Sequence, residues 1–357
     1  MVAGDPHQGG ATWAVLQYLH GFRRLGHEVV LIEPVDELAT AVVSYFEGLG
    51  LDGAALLRRG TRETVGLPYA LLTRFARDAD VLVNISGLLQ EEALTERIPK
   101  RVYVDLDPAF NQLWHGREQL DVGFEGHTHH VTVGQALGQA GCDVPTWGFE
   151  WIPTVPPVVL ERWQPGDGLV HDALTTVGNW RAYGSIQVDG VFYGQKAHSL
   201  RELVALPART DERFVLAVDV HPDERGDLDA LSSNGWELVD PAAVAGTPDA
   251  YRRFVRGSKA EFGLAKLGYV RSRCGWFSDR SACYLAGARP VLAQDTGFAD
   301  YLPTGEGLLS FRDEDDALAG VERLRGDYPR HRAAARAIAE DLLDSDKVLN
   351  RLLAAVS

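Results

Sequence analysis

The sequence predicts an α/β protein with two doubly wound, largely parallel sheets. Three observations carry this. The chain opens as strand, glycine loop, helix, strand. Short apolar runs then alternate with segments of helical periodicity. After a stretch rich in proline and tryptophan, the same alternation restarts.

The elements follow in order. Met1-Val-Ala-Gly-Asp5 reads as the end of a strand with little strand before it. His7-Gln-Gly-Gly10 is a loop. From Thr12 to Leu25, Trp13, Leu16 and Leu19 recur at helical spacing, and Gly26 closes the helix. Glu28–Ile32, Asp80–Ile85, Arg101–Val104 and Val131–Val133 are short apolar runs, as buried parallel strands are. Residues 145–168 crowd five prolines with Trp147, Trp151 and Trp163, which reads as an extended but packed linker. Beyond it come strands at Leu174–Val177, Phe214–Val220, Trp236–Val239, Ala260–Ala265 and Val291–Ala293. A hairpin is expected around Asp189-Gly190, with helices over 197–205, 250–256, 282–286, 315–324 and 329–353. The expected units are a first Rossmann-like domain over 1–165, a second over 166–328, and a tail, 329–357, crossing back onto the first.

Composition narrows the function. A chain of 357 residues suggests about two domains. With 35 Lys+Arg against 50 Asp+Glu the formal charge is −15, which argues against a nucleic-acid partner. It leaves room for anionic small molecules in a locally basic pocket. No apolar run is long enough for a membrane span, and the start lacks the pattern of a signal peptide. Cys142, Cys274 and Cys283 form no metal or disulfide pattern, so a reducing, cytoplasmic setting is expected. The arginines at 323, 325, 330, 332 and 336 read as a solvated helix face.

The densest chemistry lies late in the chain. Gly275-Trp-Phe-Ser-Asp-Arg-Ser281 precedes an apolar helix, then Arg289-Pro-Val-Leu-Ala-Gln-Asp-Thr-Gly297, then Gly305-Glu-Gly-Leu-Leu309. Ser278 or Asp279 caps a helix whose free amides suit a phosphate, and Arg280 adds a charge-assisted contact. Asp295, Thr296 and Gly297 follow a strand's C-terminal end, where doubly wound sheets bind ligands. An ordinary capped helix and a strand-end turn would look the same piece by piece.

These motifs resemble the donor-binding half of GT-B glycosyltransferases. The branch most similar is the group-one-like one that includes spore-maturation glycosyltransferase-like proteins. The Gly9-Gly10 loop and Leu25-Gly-His-Glu-Val29 also match that fold. The resemblance implies two Rossmann-like domains facing across a cleft. It implies sugar transfer from a nucleotide-diphosphate sugar, used as co-substrate, with no permanent cofactor and no bound metal. By this resemblance Asn179, Trp180, Arg181, Lys196, Lys266, Ser278, Asp279, Arg280, Asp295, Thr296 and Gly297 surround the donor. His7, with Asp5 and His127, is the candidate set for proton transfer, and Gly9 and Gly10 form the acceptor-side loop. His7 reads equally as a helix cap, His127 as part of a surface loop with His129 and His130, and Trp180 as core. Asp105-Leu-Asp107 is too short a motif to be read as a metal site.

One departure stands out. Many retaining members carry a pair of glutamates before the proline. Counting back from Pro290, those positions are Gly275 and Cys283. A degenerate binding module and a nucleotide-sugar epimerase on the same fold therefore stand as alternatives, and sugar, base, acceptor and oligomeric state are open. On the transferase reading, Arg280→Ala weakens nucleotide binding strongly in a calorimetric titration. An unchanged affinity removes Arg280 from the site.

Overall fold

The computed structural model describes residues 2, 4–38, 42–117, 120–166 and 168–357. Met1 and Ala3 of the expected first strand lie outside this set. Val2 and Gly4 are not strand; their amides donate to the Glu33 carboxylate at 2.5 and 3.2 Å.

The first half holds two small sheets. β1 (Leu31–Val35) pairs in parallel with β2 (Ala54–Arg58), and β3 (Thr64–Gly66) runs antiparallel to β2. β4 (Val81–Ile85), β5 (Lys100–Asp105), β6 (His129–Thr132) and β7 (Trp151–Pro153) form a parallel sheet in that order. The helices here are α1 (Gly9–Arg24), α2 (Val42–Gly48), α3 (Tyr69–Asp78), α4 (Glu92–Thr95) and α5 (Phe110–Arg117). The expected linker thus contributes a strand, β7, to the four-stranded sheet of the first half.

The second half is built on β8 (His171–Asn179), β11 (Phe214–Asp219), β12 (Trp236–Leu238), β13 (Ser258–Gly263), β14 (Val291–Gln294) and β15 (Leu308–Phe311). Their spatial order is β12-β11-β8-β13-β14-β15, all parallel. The order reverses direction between β8 and β13, and the crevice beyond their C-terminal ends is where such sheets take ligands. β9 (Ile186–Val188) and β10 (Val191–Tyr193) form the expected hairpin, with positive φ at Asp189 and Gly190. The helices are α6 (Lys196–Arg201), α7 (Arg225–Ser233), α8 (Pro241–Ala245), α9 (Pro248–Gly257), α10 (Leu267–Ser272), α11 (Asp279–Ala286), α12 (Glu314–Gly326), α13 (Tyr328–Ile338) and α14 (Ser345–Ala355). The long helix expected over 329–353 is broken. A π turn over 339–343 intervenes, and Asp344 caps α14 through the Asp346 amide. No described helix is long and apolar enough to cross a membrane.

One apolar seam joins the halves. Trp13 of α1 meets Trp163 edge-on at 5.2 Å, and Trp163 meets Tyr251 of α9 at 6.1 Å. The Trp13 indole donates to the Pro248 carbonyl at 2.8 Å. α14 lies along α1, where Arg24 and Asp346 pair at 3.1 Å. Buried Arg289 solvates the linker's carbonyls, donating to Gly168 at 2.8 Å and to Arg256. The terminal arginines are not simply solvated: Arg332 and Arg336 donate to the carbonyls of Ala288, Trp163 and Ala286.

Gly9 and Gly10 are corrected by this packing. They form the first turn of α1 rather than a loop. A Cβ on Gly9 would lie 2.2 Å from the Thr247 carbonyl oxygen, and one on Gly10 would lie 3.0 Å from the Tyr251 ring. Their lack of side chains admits the second half. Gly9→Val is expected to destabilise the chain by roughly 1–3 kcal/mol, as overpacking does, seen as a lower urea midpoint.

Candidate functional site

Three cations converge where β8 and β13 diverge. Arg280 stands in the first turn of α11, which Ser278 caps by accepting from the Arg280 amide at 3.2 Å. Its guanidinium donates to Glu261 of β13 at 2.5 Å and to the Val177 carbonyl of β8 at 2.9 Å. Burial pulls the Arg280 pKa down, but Glu261 more than offsets this and leaves it raised. The other Glu261 oxygen is buried without a hydrogen-bond partner.

Lys196 comes from the start of α6. Its ammonium lies 2.3 Å from where a Cβ on Gly178 would sit, and the Arg280 Nη1 lies 3.6 Å from the same point. Glycine at 178 therefore lets both cations approach the end of β8. Lys196 has no hydrogen-bonding acceptor among the described residues. Burial, then repulsion by Arg280 and Lys266, holds its pKa well below the ordinary lysine value. Lys196 is half-buried, and an ammonium crowded by two other cations is relieved when an anion arrives.

Lys266 N-caps α10 and is paired from across the molecule. Its ammonium lies 3.0 and 3.2 Å from the Asp107 carboxylate oxygens, in the turn after β5. The hydroxyls of Tyr183 and Tyr269 donate to the same carboxylate. Burial lowers the Lys266 pKa more than Asp107 raises it.

Beside this corner a cavity of about 60 Å³ lies between the halves. Gln17 and Tyr18 of α1, Leu106, Phe277, Asp279 and Cys283 are among its walls. The Tyr18 hydroxyl is buried without a hydrogen-bond partner among the described residues. Burial raises the Asp279 carboxyl, with Arg280 opposing. Gln17 and Tyr18 carry no signal of their own in the chain, since they sit in an ordinary amphipathic helix. Glu261 did leave a signal: it is an acid inside an otherwise apolar strand.

The other expected site residues are placed elsewhere. Trp180 is core, 3% exposed, its indole donating to Glu224 and Asp227, both at 3.2 Å. Arg181 turns outward into a bidentate pair with Glu224 at 2.6 and 2.9 Å, so it does not join Lys196. Asn179 ends β8 and lines a small hollow of about 10 Å³ with Lys196. Asp295 accepts from the Gly297 amide at 2.9 Å, and Thr296 donates to the Trp276 carbonyl at 2.6 Å. Gly297 has φ +93°, with the Arg273 carbonyl 2.8 Å from an added Cβ. These three residues are a buried turn that holds the 273–277 segment.

The first-half candidates do not line the cavity. Asp5 accepts from the His7 amide at 3.4 Å and from the Gln8 side chain, and the His7 ring is exposed. His127 uses both ring nitrogens structurally: Nδ1 faces the Phe124 and Glu125 carbonyls, and Nε2 lies 3.0 Å from the Asn84 amide nitrogen. Asp105 organises its own turn, accepting from Asn111 at 2.7 Å and from Gln112 and Thr132, both at 3.0 Å. Among the described residues no cluster of three His, Cys, Asp or Glu side chains is arranged to hold a metal ion.

Comparison with known proteins addresses the fold. No protein-family model matches the sequence, and no curated protein is significantly similar to it. In structure, the chain is similar to HepE from Anabaena, solved in complex with UDP and glucose. The TM-score is 0.59 at 11% identity, over 99% of this chain and 97% of that one. The chain has a GT-B glycosyltransferase-like fold. Sucrose-phosphate synthase from Thermosynechococcus elongatus gives 0.59 at 14% identity, covering 100% and 98%. A Listeria monocytogenes chain described as a UDP-N-acetylglucosamine 2-epimerase gives 0.53 at 12%, covering 98% and 92%.

Within this GT-B fold, Gly275 cannot carry a glutamate. Its φ is +76°, and a Cβ would lie 2.7 Å from the Ala136 amide nitrogen of the first half. The backbones of the two halves hydrogen-bond here, Gln135 to Gly275 at 3.2 Å and Ala136 to Cys274 at 3.0 Å. Gly275→Glu is expected to destabilise the chain by about 2 kcal/mol or more through strain and clash, measured by urea unfolding. A wild-type midpoint would refute that account of the position.

Proposed function

We propose that this protein is a glycosyltransferase using a nucleotide-diphosphate sugar, with the diphosphate held by Lys196, Arg280 and Lys266. The observation that carries the reading is the partnerless ammonium of Lys196 beside Arg280 at the diverging strands. That arrangement supplies positive charge where a GT-B fold has its cleft. UDP bound to HepE supports the same class of donor. The domains are taken as 1–165, 166–328 and the tail 329–357.

In the proposed reaction the bond between the anomeric carbon and the phosphate oxygen breaks. An acceptor oxygen bonds to that carbon, and its proton passes to a base. The departing diphosphate gains negative charge, which the three side-chain cations offset without a bound metal. Asp279 is the carboxyl in the cavity wall and takes the role of base that sequence reasoning gave to His7. The present cavity is far below the roughly 300 Å³ or more of a small-molecule site. The halves therefore separate for the donor to enter and close again, excluding water, only once the acceptor has joined it.

A second reading, a non-catalytic module, is favoured by one observation. The backbone joins between 135–136 and 274–275 occupy the place where an acidic side chain would be needed. Calorimetric titration with uridine, guanosine, adenosine and thymidine diphosphates, followed by an assay of the matching nucleotide sugar, separates the two: binding with turnover supports the transferase, and no binding, or binding without turnover, the module.

Lys196→Met provides the sharper test. Arg280→Ala also strands buried Glu261, at about 3–5 kcal/mol, so its loss of binding has two causes. Lys196 is charged less readily in the folded chain than in the unfolded one. Replacing it is expected to raise the urea midpoint while lowering diphosphate affinity at least about tenfold, the loss of one charged contact. Retained affinity would exclude the corner as the phosphate site.

A further inference from the structure

We propose that Asp107 is a built-in competitor of the donor, occupying the diphosphate corner and holding the two halves shut until a diphosphate displaces it. The inference rests on the reading of that corner as a diphosphate site.

The geometry is that of an anion in a receptor. Asp107 belongs to the first half, and every donor it meets in this network belongs to the second. The Lys266 ammonium reaches both carboxylate oxygens, and the Tyr183 and Tyr269 hydroxyls donate to one oxygen each. The ammonium also lies over the Tyr183 ring at 4.0 Å and over those of Phe110 and Tyr269, both at 5.0 Å. Lys266 and Asp107 are only 13% and 23% exposed, so water does little to screen the pair. Burial and the Asp107 charge raise both phenols' pKa values, keeping their protons available as donors.

The same donors suit phosphoryl oxygens. One ammonium and two hydroxyls would serve a phosphate as they serve a carboxylate, and Lys266 adjoins the Lys196 corner: the amide of the next residue, Leu267, donates to the carbonyl of Gln195, the residue before Lys196, at 3.5 Å, while Lys196 and Arg280 both approach Gly178. Asp107 satisfies Lys266 alone and leaves Lys196 unpaired. A diphosphate carries enough negative charge to answer more than one cation. Displacement therefore trades a partial match for a fuller one. It also removes an ion pair between the halves, which couples donor entry to opening. The competition reduces apparent donor affinity by the fraction of molecules in which the corner is free.

The test uses the full chain and inorganic pyrophosphate as probe, with uridine diphosphate alongside. In Asp107→Asn, pyrophosphate is expected to bind about tenfold more tightly than to the wild type. Adding Lys266→Met to that variant is expected to reverse the gain. Small-angle scattering of the wild type is expected to show a larger radius of gyration at saturating pyrophosphate, a readout independent of how well any variant folds. Binding to the wild type with equal or weaker affinity in Asp107→Asn, or with an unchanged radius, overturns the competitor and leaves the diphosphate site standing. Binding of neither probe to either protein overturns both.

Discussion

The structure turns on a charge problem at the end of one parallel sheet. β8 and β13 part company, and Lys196, Lys266 and Arg280 are brought into the same poorly hydrated corner. Charges in such a place need partners, because burial removes the water that would otherwise stabilise them. Glu261 answers Arg280 from the neighbouring strand. Asp107 answers Lys266 from the other half of the molecule. Lys196 is left with no acceptor among the described residues, and burial, then the two neighbouring cations, depress its pKa. The interest of the site comes from that one unmet demand.

The rest of the architecture sets how close the halves stand. α1 is the common surface: its Trp13 meets the linker's Trp163, its first turn abuts the start of α9, and α14 lies along its flank. Glycine decides the spacing at two places. Gly9 admits the Thr247 carbonyl, and Gly275 admits the 135–136 backbone. Both contacts bring backbone of the two halves into close approach. The small volume of the cavity lined by Tyr18 and Asp279 follows from the packing around it.

Much of the fold was legible because it depends on local patterns. The apolar runs at 80–85, 214–220 and 291–293 mark buried strands, and Asp189-Gly190 marks a hairpin turn. Ser278 could be read as a cap because a hydroxyl before a helical periodicity has one common use. The break between α13 and α14 was not legible, since Arg330 to Leu353 keeps its helical periodicity through the π turn. β7 was hidden among prolines, which usually mark extended linker.

The site was legible only as a set of residue types. Arg181 and Lys196 look alike in sequence: each is a basic residue after the first strand of the second half. Glu224 takes one of them, and the bare Cα of Gly178 lets the other turn inward. Asp295, Thr296 and Gly297 have the composition of a ligand loop, yet their polar groups close a turn against 273–276. Sequence by itself determined the alternation of strands and helices, and hence an α/β fold in both halves, because hydrophobic periodicity and turn chemistry act over a few residues. Tertiary structure decided which charges stay unpaired, because Asp107 and Lys266 are far apart in the chain and meet only when the two halves are docked.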